Sequence, residues 1–190
     1  MASISENART LLVTGVPGIG KTTLVKKVAC ALSGLRIQGF FTEEIRSQGQ
    51  RQGFHLETFD RQRIILAHTD IQSSYRVGRY GVDVVALDGI VSGVLWPDGD
   101  VDLYLIDEIG KMECFSRKFQ IAIRQLLDSG KPLIATIALK GGGFIQQVKE
   151  RPNVALLMLT CDNREDMLNP VLGWVAGKFN CLLRSDGVPT

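Results

Sequence analysis

The stretch Gly15-Val16-Pro17-Gly18-Ile19-Gly20-Lys21-Thr22 matches the pattern G-x-x-x-x-G-K-[ST] without a mismatch. Its glycines let backbone N–H groups turn inward toward an anion, and a helix beginning near Lys21 points its positive dipole end at the same place. Ordinary glycine usage of about 7% produces this pattern by accident in on the order of one chain in a hundred of this size. The stretch therefore predicts a phosphate-binding loop between a strand and a helix.

Two side chains of this loop have specific expected roles. The Lys21 ammonium neutralises the β- and γ-phosphates of a nucleotide, and the Thr22 hydroxyl is a ligand of Mg²⁺. The residues that we expect to contact a nucleoside triphosphate are Gly15, Val16, Pro17, Gly18, Ile19, Gly20, Lys21, Thr22 and Thr23.

Strand-like apolar runs alternate with helix-like segments along most of the chain. The predicted strands include "TLLVT" (10–14), "VDLYLID" (101–107), "LIATIA" (133–138) and "NVALLMLT" (153–160). The predicted helices follow the loop and cover about 82–96, 115–127, 143–151 and 164–177, the last with Pro170 early or at a kink. Parallel neighbours need crossover connections, so the alternation predicts a three-layer α/β fold with a mostly parallel sheet covered on both faces.

A different pattern interrupts this alternation between about residues 38 and 80. Three short strand-like segments are joined there by polar turns, namely "GFFTEEIR" (39–46), "GFHLETF" (53–59) and "RIILAH" (63–68). Short connections favour antiparallel neighbours, so we expect a small antiparallel β insert. The length of 190 residues is typical of one domain, and we expect a single domain over 1–190.

Charged residues follow the apolar run of "LYLIDEIGKME" (103–113). A nucleotide site of this type needs an acid at the end of a buried strand to hold Mg²⁺, and Asp107 fits that role. Glu108, one position further, is placed to orient or deprotonate a water that attacks the γ-phosphorus. The alternatives are a turn aspartate and a solvated or ion-paired glutamate, with Lys111 as a partner for Glu108 or Glu113.

The motifs taken together resemble the THEP-type nucleoside-triphosphatase family, whose vertebrate members are called cancer-related nucleoside-triphosphatases. The order and approximate spacing match for "LLVTGVPGIGKTTLV" (11–25), "GFFTEEIR" (39–46), "RVGRYGVD" (76–83), "LIDEIGKME" (105–113) and "TCDNRE" (160–165). The resemblance covers most of the chain and is weakest from Ile64 to Ser74 and after Gly177.

This resemblance implies a P-loop NTPase with a RecA-like sheet that hydrolyses ATP, GTP and other nucleoside triphosphates slowly and with little base preference. It assigns nucleotide binding to Gly15 to Thr22 and the acidic strand end to Asp107 and Glu108. In the RecA-like group an extra strand lies between the loop strand and the acidic strand and ends in a polar residue. Thr136 occupies that place, and we expect it to sense the γ-phosphate or the attacking water.

Several charged residues remain without a settled role. Candidates for stabilising the transition state with positive charge are Arg76, Arg79, Lys111, Lys140 and Arg164. Glu43 and Glu44 follow a strand beside the site and either assist Mg²⁺ or serve structure. His55 alternates with Leu56, which indicates an exposed strand residue rather than a catalyst.

Composition narrows the partners and the compartment. Twenty-two basic and 20 acidic residues are mixed along the chain, giving a net charge of +2, so we expect neither nucleic acid nor membrane as a partner. Four cysteines form no C-x-x-C pair, and no run approaches the roughly 20 apolar residues that span a bilayer. We therefore expect a cytoplasmic monomer with reduced thiols.

The identity of the phosphoryl acceptor decides between the possible functions. Water as the acceptor makes the protein a Mg²⁺-dependent nucleoside-triphosphatase, with Glu108, Lys21 and Thr136 as catalytic residues and Thr22 and Asp107 as metal ligands. A small-molecule or nucleotide kinase is the first alternative, since the β insert with its arginines can supply an acceptor pocket. A nucleotide-dependent switch is the second, because slow hydrolysis can serve as timing. The N-K-x-D signature of guanine recognition is absent.

Overall fold

The computed structural model describes Ser5 and residues 7–185, with side chains as far as Phe179. The strands are β1 (Thr10–Thr14), β2 (Ile37–Ser47), β3 (Gln50–Thr58), β4 (Arg63–His68), β5 (Arg76–Val77), β6 (Tyr80–Val82), β7 (Leu103–Ile109), β8 (Leu133–Ile137) and β9 (Val154–Met158). The helices are α1 (Lys21–Ala31), α2 (Val84–Val94), α3 (Arg117–Asp128), α4 (Phe144–Lys149) and α5 (Leu168–Ser185), and a single 3₁₀ turn covers Glu113–Phe115.

The strands of the described residues form one sheet in the order β5-β6-β4-β3-β2-β7-β8-β1-β9. Strands β2, β7, β8, β1 and β9 run parallel, and the remaining strands pair antiparallel at the β2 side. Strand β8 lies between the loop strand β1 and the acidic strand β7, as the family resemblance implies. The three-layer α/β class is confirmed, and the antiparallel strands continue the parallel sheet.

Strand β2 belongs to both parts of the sheet. Its first residues, Ile37 to Phe40, pair parallel with β7, and from Phe40 onward it pairs antiparallel with β3. We call residues 41–58 the arm, because this hairpin continues beyond the last residue of β2 that pairs with β7. The crossing is tight: Gly39 has φ 122°, and a Cβ there would lie 1.9 Å from the Leu105 carbonyl oxygen. Only glycine fits at that point.

Helices cover both faces of the sheet. The apolar sides of α2, α3 and α4 pack on one face, and those of α1 and α5 pack on the other. Strand residues alternate between these two cores, as Tyr104 and Ile106 do with Leu103 and Leu105. No helix in the described part of the chain combines the length and apolar composition that a bilayer crossing requires.

Helix α5 begins later than the predicted start at Arg164, so that part of the prediction is wrong. The Asn163 side chain holds a turn there, accepting from the Thr160 N–H at 2.8 Å and donating to the Met158 carbonyl at 2.9 Å. Pro170 then falls in the first turn of α5. A helix extended backward would bring the proline ring against the carbonyl four residues earlier, so the early position was the correct alternative.

Candidate active site

The phosphate-binding loop joins β1 to α1 in the geometry that its glycines predict. Gly18 and Gly20 have φ of 78° and 109°, and α1 begins at Lys21 directly after Gly20. A cleft of about 950 Å³ lies above the loop. The loop residues that line it are Gly15, Val16, Pro17, Gly18, Gly20, Lys21, Thr22 and Thr23. Ile19 is the exception, since its side chain is buried in the core beside α1 and α5.

Asp107 is held at the end of β7 by three threonine hydroxyls from different elements. Thr22 donates to Oδ2 at 2.6 Å, and Thr136 donates to Oδ1 at 2.6 Å. Thr42, at the base of the arm, donates to Oδ2 at 3.3 Å. With 1% of its surface exposed, the carboxylate has one fixed orientation beside the start of α1.

The predicted metal ligands fit Mg²⁺ in type and number. Thr22 and Asp107 both present oxygen, the element that Mg²⁺ prefers. Among the described residues, no group of three or more His, Cys, Asp or Glu side chains is gathered as a metal cage. Mg²⁺ is usually held by one or two protein oxygens together with substrate phosphates and water, so a nucleotide would complete this site.

Glu108 lines the cleft and forms an ion pair with the loop lysine. Its Oε2 lies 3.4 Å from Lys21 Nζ, and Lys21 is 9% exposed. Burial raises the pKa of Glu108, and the Lys21 ammonium opposes that rise. The predicted alternative pairing with Lys111 is not formed, because Lys111 has no ion pair within the described residues and is exposed. Glu108 is therefore a semi-buried carboxyl group paired with the loop lysine.

Glu113 is a buried carboxyl that the sequence did not assign. It accepts a hydrogen bond from the Gly110 N–H at 3.1 Å and is 5% exposed. Burial raises its pKa to about 8, and the negative charges of Glu108 and Asp107 add to the rise. Three carboxyl groups thus approach each other at the end of β7.

Two further residues act on the carboxyl groups at the end of β7, Thr136 on Asp107 and Lys149 on Glu108. Thr136 is fully buried, its hydroxyl donates to Asp107, and it is not among the residues that line the cleft. Lys149 of α4 donates to the carbonyl oxygens of Ala138 and Leu139 at 2.7 and 2.9 Å, and its charge lowers the pKa of Glu108. No sequence motif marks Lys149, which lies in a short helix far along the chain.

The structure brings two of the predicted cationic candidates to the cleft, Lys111 and Lys140. The three arginines are engaged elsewhere. Arg76 donates to the Arg79 carbonyl at 2.8 Å, Arg79 donates to the Arg51 carbonyl, and Arg164 pairs with the neighbouring Glu165 at 3.2 Å. Arg51, which was not among these candidates, does line the cleft.

Glu43 and Glu44 line the cleft, and each has cationic partners. Glu43 pairs with Lys26 and with Arg63, and Glu44 pairs with Arg51 at 2.9 Å and with a second arginine nearby. These contacts favour the structural alternative over metal binding. His55 is half-buried in β3 and does not line the cleft.

Known proteins are similar to this chain in sequence and in fold. Nucleoside-triphosphatase THEP1 from Thermotoga sp. (strain RQ2) is 43% identical over 171 residues, which cover 90% of this chain and 96% of that protein. The cancer-related nucleoside-triphosphatase homolog from Bos taurus is 34% identical over 181 residues, covering 87% of this chain and 95% of that protein. The crystal structure of THEP1 from the hyperthermophile Aquifex aeolicus matches with a TM-score of 0.76 at 33% identity, covering 87% of this chain and 98% of that one.

These matches confirm the predicted P-loop NTPase fold and the family that the motifs resemble. The sequence profile described as NTPase covers residues 10–172, which include the loop, the arm and both carboxylates of the acidic strand end. The chain therefore belongs to the NTPase family that contains the THEP1 and cancer-related nucleoside-triphosphatases.

Proposed function

We propose that this protein hydrolyses ATP, GTP and other nucleoside triphosphates to the diphosphate and phosphate, with Mg²⁺ and with water as the acceptor. The observation that carries the proposal is the position of Glu108, which lines the cleft, follows Asp107 in β7 and lies 3.4 Å from Lys21 Nζ. A carboxylate there can take a proton from a water in line with the γ-phosphorus. The names of the relatives support the same reaction.

The ion pair between Lys21 and Glu108 gives the reaction an order of events. Without nucleotide the two side chains neutralise each other. An incoming γ-phosphate carries more negative charge than one carboxylate, so it draws the Lys21 ammonium toward itself. Glu108 is then free to hold the attacking water, and its raised pKa makes it a stronger base.

Asp107 and its threonines fix the geometry of the metal position. When bound, Mg²⁺ supplies positive charge that neutralises the β- and γ-phosphate oxygens. Thr22 adds its hydroxyl from the start of α1, and Thr136 and Thr42 keep the Asp107 carboxylate from rotating. Thr136 is thus a positioning residue in this proposal. Removing a side chain that hydrogen-bonds a metal-binding carboxylate typically lowers metal affinity or activity by about 10- to 100-fold.

Replacing Glu108 tests the proposal directly. Wild-type protein with Mg²⁺ and ATP should release inorganic phosphate without any added acceptor. Glu108→Gln should lower that release by roughly 10²- to 10⁴-fold, because glutamine cannot take a proton. Binding of a fluorescent non-hydrolysable ATP analogue should stay within a few-fold of wild type.

The matched control is Glu150→Gln, which changes an exposed glutamate outside the cleft. This variant should release phosphate at the wild-type rate. Phosphate release by Glu108→Gln at the control rate would refute the role of Glu108 as base. A wild-type protein that binds the analogue and releases no phosphate without an acceptor would refute hydrolysis itself.

Base preference and cellular setting complete the proposal. Broad base preference is what the family resemblance implies for this chain. Cys30, Cys114 and Cys161 carry free thiols, which supports a reducing compartment such as the cytoplasm, and the Cys181 side chain lies outside the described part. We propose that the protein acts there as a monomer with a slow turnover, and an assay of phosphate release from ATP, GTP, CTP and UTP tests the range of bases.

A further inference from the structure

The cleft continues well past the phosphate-binding loop. Beyond Glu108 it is bounded by residues of the arm, of β4 and β5, and of the turn that follows β7. We call this part the arm pocket, defined by Glu44, Arg51, Phe54, Leu66, Val77 and Met112.

A nucleotide held by the loop leaves the arm pocket open. Lys21, Asp107 and Glu108 mark the γ-phosphate end of the nucleotide, at β7. The sugar and base are attached at the other end of the triphosphate and extend away from it. Neighbouring strands lie about 4.8 Å apart, so β3 and β4 stand roughly 10 and 14 Å beyond β7. The arm pocket therefore lies past the γ-phosphate, where a phosphoryl acceptor binds.

The cleft extends well beyond the phosphate-binding loop. Its volume of about 950 Å³, which also has to hold the nucleotide, is near the upper end of the roughly 300–1,000 Å³ range of small-molecule pockets. Its lining continues from the loop to residues of β3, β4 and β5. A single attacking water occupies only about 30 Å³, so these strands border space that the water does not fill.

The lining of the arm pocket is apolar with charge at its rim. Phe54 is fixed by an edge contact with Tyr80, whose ring centroid lies 5.4 Å away at an interplanar angle of 75°. Leu66, which is 1% exposed, lines this apolar floor of the pocket, as do Val77 and Met112.

The rim of the pocket carries one ion pair. Arg51 lies 5.4 Å above the Phe54 ring and 2.9 Å from Glu44. An apolar, aromatic surface with a few polar groups is typical of a site for a small organic molecule.

We propose that the arm pocket binds a small alcohol with one planar ring, and that this alcohol accepts the γ-phosphoryl group in place of water. The ring lies against Phe54 and the apolar floor, and the hydroxyl points at the γ-phosphorus beside Glu108. This inference rests on the proposed function for the phosphate end of the cleft.

The transfer uses the same bonds as hydrolysis. The hydroxyl oxygen forms a bond to the γ-phosphorus, and the bond from that phosphorus to the oxygen bridging to the β-phosphate breaks. The electron pair leaves with the nucleoside diphosphate, and the hydroxyl proton passes to Glu108. The products are a nucleoside diphosphate and a phosphomonoester, with no other reactant.

The test is phosphorus NMR of wild-type protein with Mg²⁺ and ATP in the presence of benzyl alcohol, 2-phenylethanol, 3-pyridinemethanol or uridine. At least one probe should give a phosphomonoester signal in the phosphorus spectrum. The same probe should show saturation transfer from the protein in a proton spectrum, which reports its binding. Val77→Trp, which fills the pocket, should lower the ratio of phosphomonoester to phosphate by about tenfold or more. Val85→Trp is the matched control at a site 82% exposed on α2 and should match wild type.

Phe54→Leu provides a second variant if Val77→Trp fails to fold. It keeps an apolar side chain against the core and should weaken saturation transfer because the aromatic face is lost. The proposal is overturned if no probe binds, if binding survives both variants, or if bound probes yield only inorganic phosphate. Phosphate release without any probe reports on the proposed hydrolysis separately, so the two failures are distinguishable.

Discussion

Replacing Glu113 with glutamine should make the free energy of unfolding less dependent on pH. The Glu113 carboxyl is buried and accepts a hydrogen bond from the Gly110 N–H. Burial raises its pKa from 4.5 to about 8. The folded protein therefore keeps a proton on Glu113 over a pH range in which the unfolded chain has lost it. Glutamine has nearly the same shape and no proton to lose.

The sign and size of the effect follow from linkage. Because the folded pKa is the higher one, the stability that Glu113 contributes is complete below about pH 4.5 and is lost as the pH rises through about 8. One pKa unit corresponds to ~1.4 kcal/mol. Between about pH 5 and about pH 8.5, wild type should lose ~4 kcal/mol of unfolding free energy that Glu113→Gln retains.

Urea unfolding without nucleotide, followed by tryptophan fluorescence, measures this difference. Trp174 is buried between α5 and the sheet and reports on the core. The exposed Glu150→Gln is the control and should change stability by no more than ~0.5 kcal/mol at either pH. Parallel pH curves for wild type and Glu113→Gln would show that Glu113 is not held neutral in the folded protein, and the reasoning would fail.

Two other changes have matched controls within the chain. Gly39→Ala should destabilise the protein by more than ~3 kcal/mol in urea unfolding, since its Cβ would meet the neighbouring backbone, whereas Gly34→Ala points into open space and should be nearly neutral. Equal losses for both would contradict the tight crossing. Lys149→Met removes a charge that lowers the pKa of Glu108, so the rising limb of the pH–rate profile for phosphate release should move to higher pH. Lys131→Met is the control, because it also removes hydrogen bonds to two backbone carbonyls, at a place far from the cleft, and should leave the rising limb at the same pH. A shift in both variants would show that the lost carbonyl contacts, and not the lost charge near Glu108, cause the effect.

The sequence predicts the phosphate end of the site well because that information is local. Residues Gly15 to Thr22 are contiguous, and their spacing alone determines a loop followed by a helix. Asp107 and Glu108 are recognisable because a carboxylate pair follows the apolar run from Leu103 to Ile106. The order of β1, β8 and β7 was expected from the family resemblance and is confirmed.

The supporting residues are not predictable in the same way because they depend on tertiary placement. Glu113 lies between Met112 and Cys114 in the sequence, where no pattern marks it as buried, and it begins the 3₁₀ turn after β7 with 5% of its surface exposed. Thr42 contacts Asp107 because β2 lies next to β7, which local strand patterns cannot reveal. Thr136 was expected to sense the γ-phosphate or the attacking water. In the structure its hydroxyl donates a hydrogen bond to Asp107 on the neighbouring strand β7.

The central position of β8 also determines when the site can come into existence during synthesis. Thr14 at the end of β1 donates to the Ile137 carbonyl at 3.0 Å across a sequence separation of 123 residues. Contacts of such long range form slowly, because the intervening chain must first be closed into a loop. A nascent chain that ends before Ile137 carries the phosphate loop and the acidic strand end without the strand that joins them. We therefore expect competence to bind nucleotide to arrive late, together with completion of the sheet.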